Sequence, residues 1–347
     1  MLKKKFSIEK RFLGDNCRPL IVPEIGINHN GNLKTAFQLV DAAKECGAEI
    51  IKHQTHVPSD EMSEEAKKIK PGNSKNNIYS IISNSALNEE DEFKLCNYIK
   101  KKNMIFLSTP FSRAAAVRLN KFGVNAFKIG SGEFNNLPFL EFLSKFKKNI
   151  ILSTGMHSMQ TVKNVVTFLN KLNCNYALMH TTSLYPTPDN LVKLESITEM
   201  KRNFPNKIIG YSDHTIGINA CLAAIAKGAN IIEKHFTDTK LRRGPDIICS
   251  MDKNELKKLI LGSDQIYRQC KGNKSFILEE NVTRKFAFAS VVAINDIKIN
   301  EKFTLNNIWV KRPGTGYFPA NKLNKILSKK AKKNIKKNFQ LKKNDVQ

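Results

Sequence analysis

Residues Gly210–Gly217 read GYSDHTIG, and Glu233–Thr237 read EKHFT. Each stretch places a histidine, His214 or His235, among small polar residues at the end of an apolar run. The two histidines are 21 positions apart (235 − 214). Metal-binding histidines of a zinc finger or a single helix lie about three to five positions apart, so neither arrangement fits. Two neighbouring strands joined by a crossover helix would bring the pair together. On position alone, two unrelated hydrogen-bonded core histidines are the simpler reading, and the rest of the chain has to decide.

The unit repeats. From Pro19 onward the chain offers eight short strands: LIVPEIG, EIIKHQTH, MIFLSTPF, AFKIGS, NIILSTG, YALMHTTS, KIIGYSD and NIIEKHFT. Most precede a stretch of helical periodicity, such as LKTAFQLVDAAKECGA. Strand–helix alternation at this interval implies parallel pairing through right-handed crossovers. Eight such units within about 250 residues predict a closed α/β barrel, the TIM (β/α)8 fold.

Nearly every strand starts apolar and ends polar, at Glu24, Lys52 with Gln54, Ser108 with Thr109, Lys128 with Ser131, Ser153, Thr182, His214 and His235. Strand ends are often polar, but Lys and Glu inside apolar strands are costly unless they serve a purpose. In a barrel those ends converge on the face that carries the active site.

The second strand is followed by a long excursion, VPSDEMSEEAKKIKPGNSKNNIYSIISNSALNEEDE, long enough to cover the barrel mouth. The reading assigns 1–270 to the barrel, 271–285 to a linker and 286–347 to a small β-rich domain. The basic tail SKKAKKNIKKNFQLKKND alternates lysines with occasional apolar residues and is read as a solvated helix face.

The 347 residues carry a formal charge of +26, which invites a nucleic-acid reading. The lysines are spread along the whole chain, however, and no aromatic-interleaved motif accompanies them. The expectation is no nucleic-acid partner, with a field that favours small anions. No stretch reaches the ~20 apolar residues of a membrane span, and the basic start MLKKKFSIEKRFLGDN lacks the apolar run of a secretory signal. Seven scattered cysteines without CxxC spacing suit a reducing, cytoplasmic setting.

The motifs VPEIGINHNG, IIKHQTH, LSTPFS, FKIGSGE, STGM, YPTP, GYSDHT, EKHFT and GPDIICSMD, in this order, resemble the sialic acid synthase family across almost the full chain. The later FAFASVVA and WVKRPG resemble the antifreeze-like (SAF, β-clip) domain that follows the barrel in that family. The resemblance implies condensation of phosphoenolpyruvate with an amino-sugar aldehyde, assisted by a divalent metal, Mn²⁺ first and Mg²⁺ or Co²⁺ as alternatives.

Carried over position by position, it assigns the metal to His214 and His235. It assigns phosphoenolpyruvate to Lys52, Thr109, Lys128, Ser131, Ser153, Ser183 and Ser212. The sugar falls to Gln54, Asn73, Tyr185 and Asp246, with Phe286 and Arg312 reaching over from the small domain of a domain-swapped homodimer. Glu24 and Glu133 are the acidic groups for proton and water steps, and Tyr185 and Asp246 count among the catalytic residues.

The expected product is N-acetylneuraminate, made from N-acetylmannosamine. Ser183, where many N-acetylneuraminate synthases have Asn, also resembles the legionaminate and pseudaminate branches, which use 6-deoxy di-N-acetylated sugars. A phosphorylated sugar would need further cations, for which Arg242 and Arg243 are the candidates. A polyanion-binding protein built on the small domain is the non-enzymatic alternative, and it leaves the polar strand ends without a reason.

Overall fold

The structure, a computed structural model, describes residues 6–72 and 75–347. The chain divides into two compact units, 1–271 and 272–347. A two-stranded hairpin, β1 (Phe6–Ile8) and β2 (Arg11–Leu13), opens the first unit. The eight expected strands follow: β3 (Leu20–Gly26), β4 (Ile50–Thr55), β5 (Ile105–Pro110), β6 (Ala126–Ile129), β7 (Asn149–Ser153), β8 (Tyr176–Thr181), β9 (Ile209–Asp213) and β10 (Ile231–His235). They pair in parallel and in sequence order, and β10 closes onto β3. The barrel is complete.

Period-two alternation sorts every strand into an inner and an outer face. Outward residues such as Ile21, Ile51, Phe127, Leu152, Leu178 and Ile232 pack in the large core shared with the helices. Inward residues Leu20, Val22, Ile50, Leu107, Ala126, Ile151, Ala177, Met179 and Ile231 fill the lower barrel, where Phe6, Ile8 and Leu13 of the hairpin join them. One step further along each strand, the same inward positions turn polar: Glu24, Lys52, Thr109, Lys128, Ser153, Thr181, Ser212 and Glu233, all buried. An apolar plug therefore supports a polar layer at the strand ends.

The helices carry the caps that their sequences provide. Asn32, Asn88, Ser112 and Ser158 each accept a hydrogen bond from the backbone three residues on, and Asp252 with Glu255 forms a capping box on Lys253–Gln269. The long excursion after β4 carries a helical turn, Pro58–Glu61, and a helix, Ile78–Ser85.

In the second unit, β11 (Ser290–Ala293) and β12 (Ile308–Lys311) pair antiparallel. The segment read as a linker ends inside a helix, Asn281–Ala287, that runs past its boundary into the small domain. The basic tail is not the helix expected from its pattern. It runs as isolated bridges, Ile297 with Ile335, Lys302 with Lys330, Ala331 with Val346 and Val292 with Gln340. Ala331, Ile335 and Leu341 are buried in the small core. Four-residue spacing between Ala331 and Ile335 imitates a helical stripe, but tertiary pairing decides the conformation.

Candidate active site

The polar layer opens into a cavity of about 280 Å³. It is lined by Glu24, Lys52, Gln54, Thr109, Lys128, Ser131, Ser153, Ser183, Tyr185, Ser212, Glu233, His214 and His235, with Thr181, Phe111, Gly130, Gly132 and Met156 completing the wall. All eight barrel strands contribute side chains at their C-terminal ends, and the rest come from the loops that follow.

Lys52 donates to Glu24 Oε1, which also accepts from Gln54 at 2.7 Å. Burial pushes the Glu24 carboxyl up, but Lys52 and His235 together hold it well below the usual carboxylate range. Glu24 is therefore an anion. Lys128 donates to Ser153 Oγ at 2.8 Å and lies 3.3 Å from Glu233 Oε1. Burial lowers the Lys128 pKa against the pull of Glu233, while Glu233 and Glu24 raise that of Lys52 over the same burial. Glu233 also accepts from Ser212 Oγ at 3.0 Å.

Two hydroxyls close on one backbone turn. A Cβ built on Gly155 would lie 2.5 Å from Ser183 Oγ and 2.8 Å from Ser131 Oγ, and the Gly155 N–H donates to Ser131 Oγ at 3.0 Å. The hydroxyl of Thr109 is buried without a protein partner. Two ammonium groups, free hydroxyls and a bare glycine backbone make a cradle suited to a compact polyanion.

The two histidines meet at the other end. Their ring centroids are 5.6 Å apart, and the Tyr185 ring lies 4.0 Å from His214 and 5.9 Å from His235. His214 Nδ1 donates to the Thr182 carbonyl at 2.8 Å, which leaves Nε2 as an open lone pair. Burial, with His235 adding to it, lowers the His214 pKa to about 3, so the ring is neutral. His235 Nδ1 is buried without a hydrogen bond; Asp246 Oδ2 lies 3.8 Å away, and Glu24 Oε2 lies 3.7 Å from Nε2. Burial raises the Asp246 carboxyl.

Among the described residues, no group of three or more His, Cys, Asp or Glu side chains is arranged to hold a metal ion. The donors present fit an ion that takes two imidazole nitrogens from the protein and its other ligands from water or substrate.

Some expected residues lie elsewhere. Glu133 ends a 3-10 turn, Ser131–Glu133, which points Ser131 into the cavity and turns Glu133 back to accept from Asn136 at 2.5 Å. It is not part of the cavity wall. Asn73 lies outside the described residues. Phe286 and Arg312 are exposed residues of the second unit. Arg242 is held by both carboxylate oxygens of Asp238 and by Gln38, so it is not a free phosphate clamp. Glu233 is the residue that sequence reasoning missed. It sits two positions before His235 and shares its inward face.

The NeuB family pattern matches residues 39–275, and the SAF domain pattern matches 288–347. The chain belongs to the NeuB family. It is 38% identical over 331 residues to the N,N'-diacetyllegionaminic acid synthase of Campylobacter jejuni, covering 92% of this chain and 97% of that one. It is 31% identical over 326 residues to the N-acetylneuraminate-9-phosphate synthase of Mus musculus, covering 92% and 90%. The crystal structure of N-acetylneuraminic acid synthetase from Leptospira borgpetersenii, in complex with citrate, superposes with a TM-score of 0.74 at 28% identity, over 81% of this chain and 95% of that one. This NeuB-family chain thus carries a (β/α)8 barrel and a SAF domain. No helix among its described residues is long and apolar enough to cross a membrane.

Proposed function

We propose that this protein condenses phosphoenolpyruvate with an unphosphorylated, N-acetylated amino-sugar aldehyde and water, giving a nonulosonate and phosphate. The observation that carries this reading is the cradle of Lys52, Lys128, Thr109, Ser131, Ser153, Ser183 and Ser212 beside the paired imidazoles of His214 and His235. The cradle suits the phosphate and carboxylate of phosphoenolpyruvate. The imidazoles suit a divalent ion, Mn²⁺ first, which when bound supplies Lewis acidity at the aldehyde oxygen.

The chain's own groups do the rest. The cradle orients the methylene carbon of phosphoenolpyruvate toward the aldehyde carbon, and that carbon–carbon bond forms. Water then adds to the former enol carbon, and the carbon–oxygen bond to phosphate breaks. Glu24, ionised and inside the cavity, is placed to take a proton from that water. Gln54, Tyr185 and Asp246 border the histidine end and are assigned to the sugar. Phe286 and Arg312 are assigned to the sugar of a partner copy in a domain-swapped dimer.

Two points bear on the sugar. Arg242 is occupied by Asp238 and Gln38, so this arginine offers no ready second phosphate site. Ser183 lines the cavity, and the 38% identical relative is a legionaminic acid synthase. These favour the 6-deoxy di-N-acetylated hexose as substrate. The likeness to the Leptospira N-acetylneuraminic acid synthetase supports N-acetylmannosamine as the second reading. Phosphate release with phosphoenolpyruvate and each sugar in turn tests them. Turnover highest with the di-N-acetylated sugar is expected, and turnover highest with phosphorylated N-acetylmannosamine would overturn the unphosphorylated assignment.

A further inference from the structure

We propose that the buried Asp213–Lys234 pair is a positioning device that sets the separation of the His214 and His235 imidazoles, the two nitrogens assigned above to the divalent ion. The inference rests on that assignment.

Asp213 and Lys234 each precede one of the histidines, and alternation turns them away from the cavity. They face the layer between barrel and helices, where both side chains are fully buried. Lys234 Nζ donates to Asp213 Oδ2 at 2.6 Å and to the Thr215 carbonyl at 2.7 Å. Asp213 Oδ1 accepts from the Thr215 N–H at 3.0 Å and from Tyr211 OH at 2.8 Å, and Oδ2 accepts from Thr215 Oγ1 at 3.0 Å and Cys221 Sγ at 3.3 Å.

The residue before His214 and the residue after it are thus both tied to the residue before His235. This matters because β9 ends at Asp213 and its pairing with β10 ends at Lys234 opposite Asp213. His214 lies beyond the reach of the sheet. The clamp carries the hold one turn further, while the bond from His214 Nδ1 to Thr182 fixes the ring from the other side.

Stability alone does not explain a charged pair here. Exchanging a buried ion pair for apolar groups of similar volume is often neutral or stabilising. What a fully satisfied pair supplies is one allowed geometry, which two protein ligands need if they are to meet a single ion.

The experiment is calorimetric titration of the chelator-stripped full-length protein with Mn²⁺, alongside metal-free melting curves. The variants are His214→Ala, the double variant Asp213→Asn with Lys234→Met, and Thr215→Val. Wild type should bind and His214→Ala should not. The double variant should melt within a few degrees of wild type yet bind Mn²⁺ at least ten-fold more weakly. Unchanged affinity in the folded double variant overturns the clamp and leaves the histidine assignment standing. A wild type that binds no Mn²⁺, or His214→Ala binding as tightly as wild type, overturns both. If the double variant does not fold, Thr215→Val decides: a three-fold or greater weakening supports the clamp, and unchanged affinity overturns it.

Discussion

Glu233 Oε1 lies 3.3 Å from Lys128 Nζ inside the barrel, with both side chains buried. The sequence suggests two lysines, Lys52 and Lys128, facing each other with no counter-charge until an anionic substrate arrives. On that view, replacing either with Met would leave the ligand-free protein as stable or more so. The geometry reverses the expectation. Lys52 is paired with Glu24, and both lysines flank Glu233.

Lys128→Met should therefore destabilise the ligand-free protein, because it strands Glu233 with only Ser212 and the more distant Lys52. Breaking one side of a buried pair costs about 3 kcal/mol or more. Adding Glu233→Gln should return much of that loss, and the coupling between the two substitutions is the quantity to measure by denaturant unfolding. Additive effects would show that the two groups do not depend on each other.

His214→Ala or His235→Ala should abolish turnover while leaving the far-ultraviolet circular dichroism unchanged. Chelation of wild type should have the same effect, and Mn²⁺ should restore activity to wild type alone. Full activity in His235→Ala would remove it from the metal site.

The convergence of these two histidines is legible in the sequence. Their spacing is one strand–helix–strand unit, and polar residues recur at the same end of all eight strands. Glu233 was harder to read because EKH is polar throughout. Its inward face becomes clear only once Lys234 is seen to turn outward to Asp213. Glu133 shares a parity with Ser131 that would hold in a strand, but β6 ends at Ile129 and a 3-10 turn breaks the alternation. The hairpin Phe6–Leu13 has strands of three residues, too short for periodicity to show.

His29 gives a pH dependence of stability. It is buried with Nε2 unpartnered, and its Nδ1 accepts from the Gly31 N–H at 3.2 Å. Burial, reinforced by His53, lowers its pKa to about 3 from an ordinary value of 6.5. The unfolded chain takes up this proton near pH 6.5 and the folded one only near pH 3. The stability from the neutral ring is therefore complete above pH 6.5 and falls as the pH drops toward 3. By pH 5 the loss from this group should be about 2 kcal/mol. His29→Asn, which keeps an acceptor for Gly31, should flatten the stability profile between pH 6.5 and 5 relative to wild type. An unaltered slope would show that the ring is not kept neutral by its surroundings.

Gly155 offers the sharpest test of the anion cradle. Its backbone is not in the left-handed region, so alanine brings no backbone strain there. What it brings is a methyl group 2.5 Å from Ser183 Oγ, 2.8 Å from Ser131 Oγ and 2.8 Å from Thr181 Cγ2. The two hydroxyls must move apart, and both belong to the set assigned to phosphoenolpyruvate. The histidine end of the cavity, with Tyr185, takes no part in this contact. Gly155→Ala should accordingly raise the KM for phosphoenolpyruvate at least ten-fold, a loss of about 1.4 kcal/mol or more, while the KM for the sugar stays within two-fold. Steady-state kinetics with each substrate varied in turn measures both. A variant whose sugar KM rises as much as its phosphoenolpyruvate KM would place the sugar, not the phosphate, against the serine hydroxyls, and the orientation proposed for the two substrates would have to be reversed.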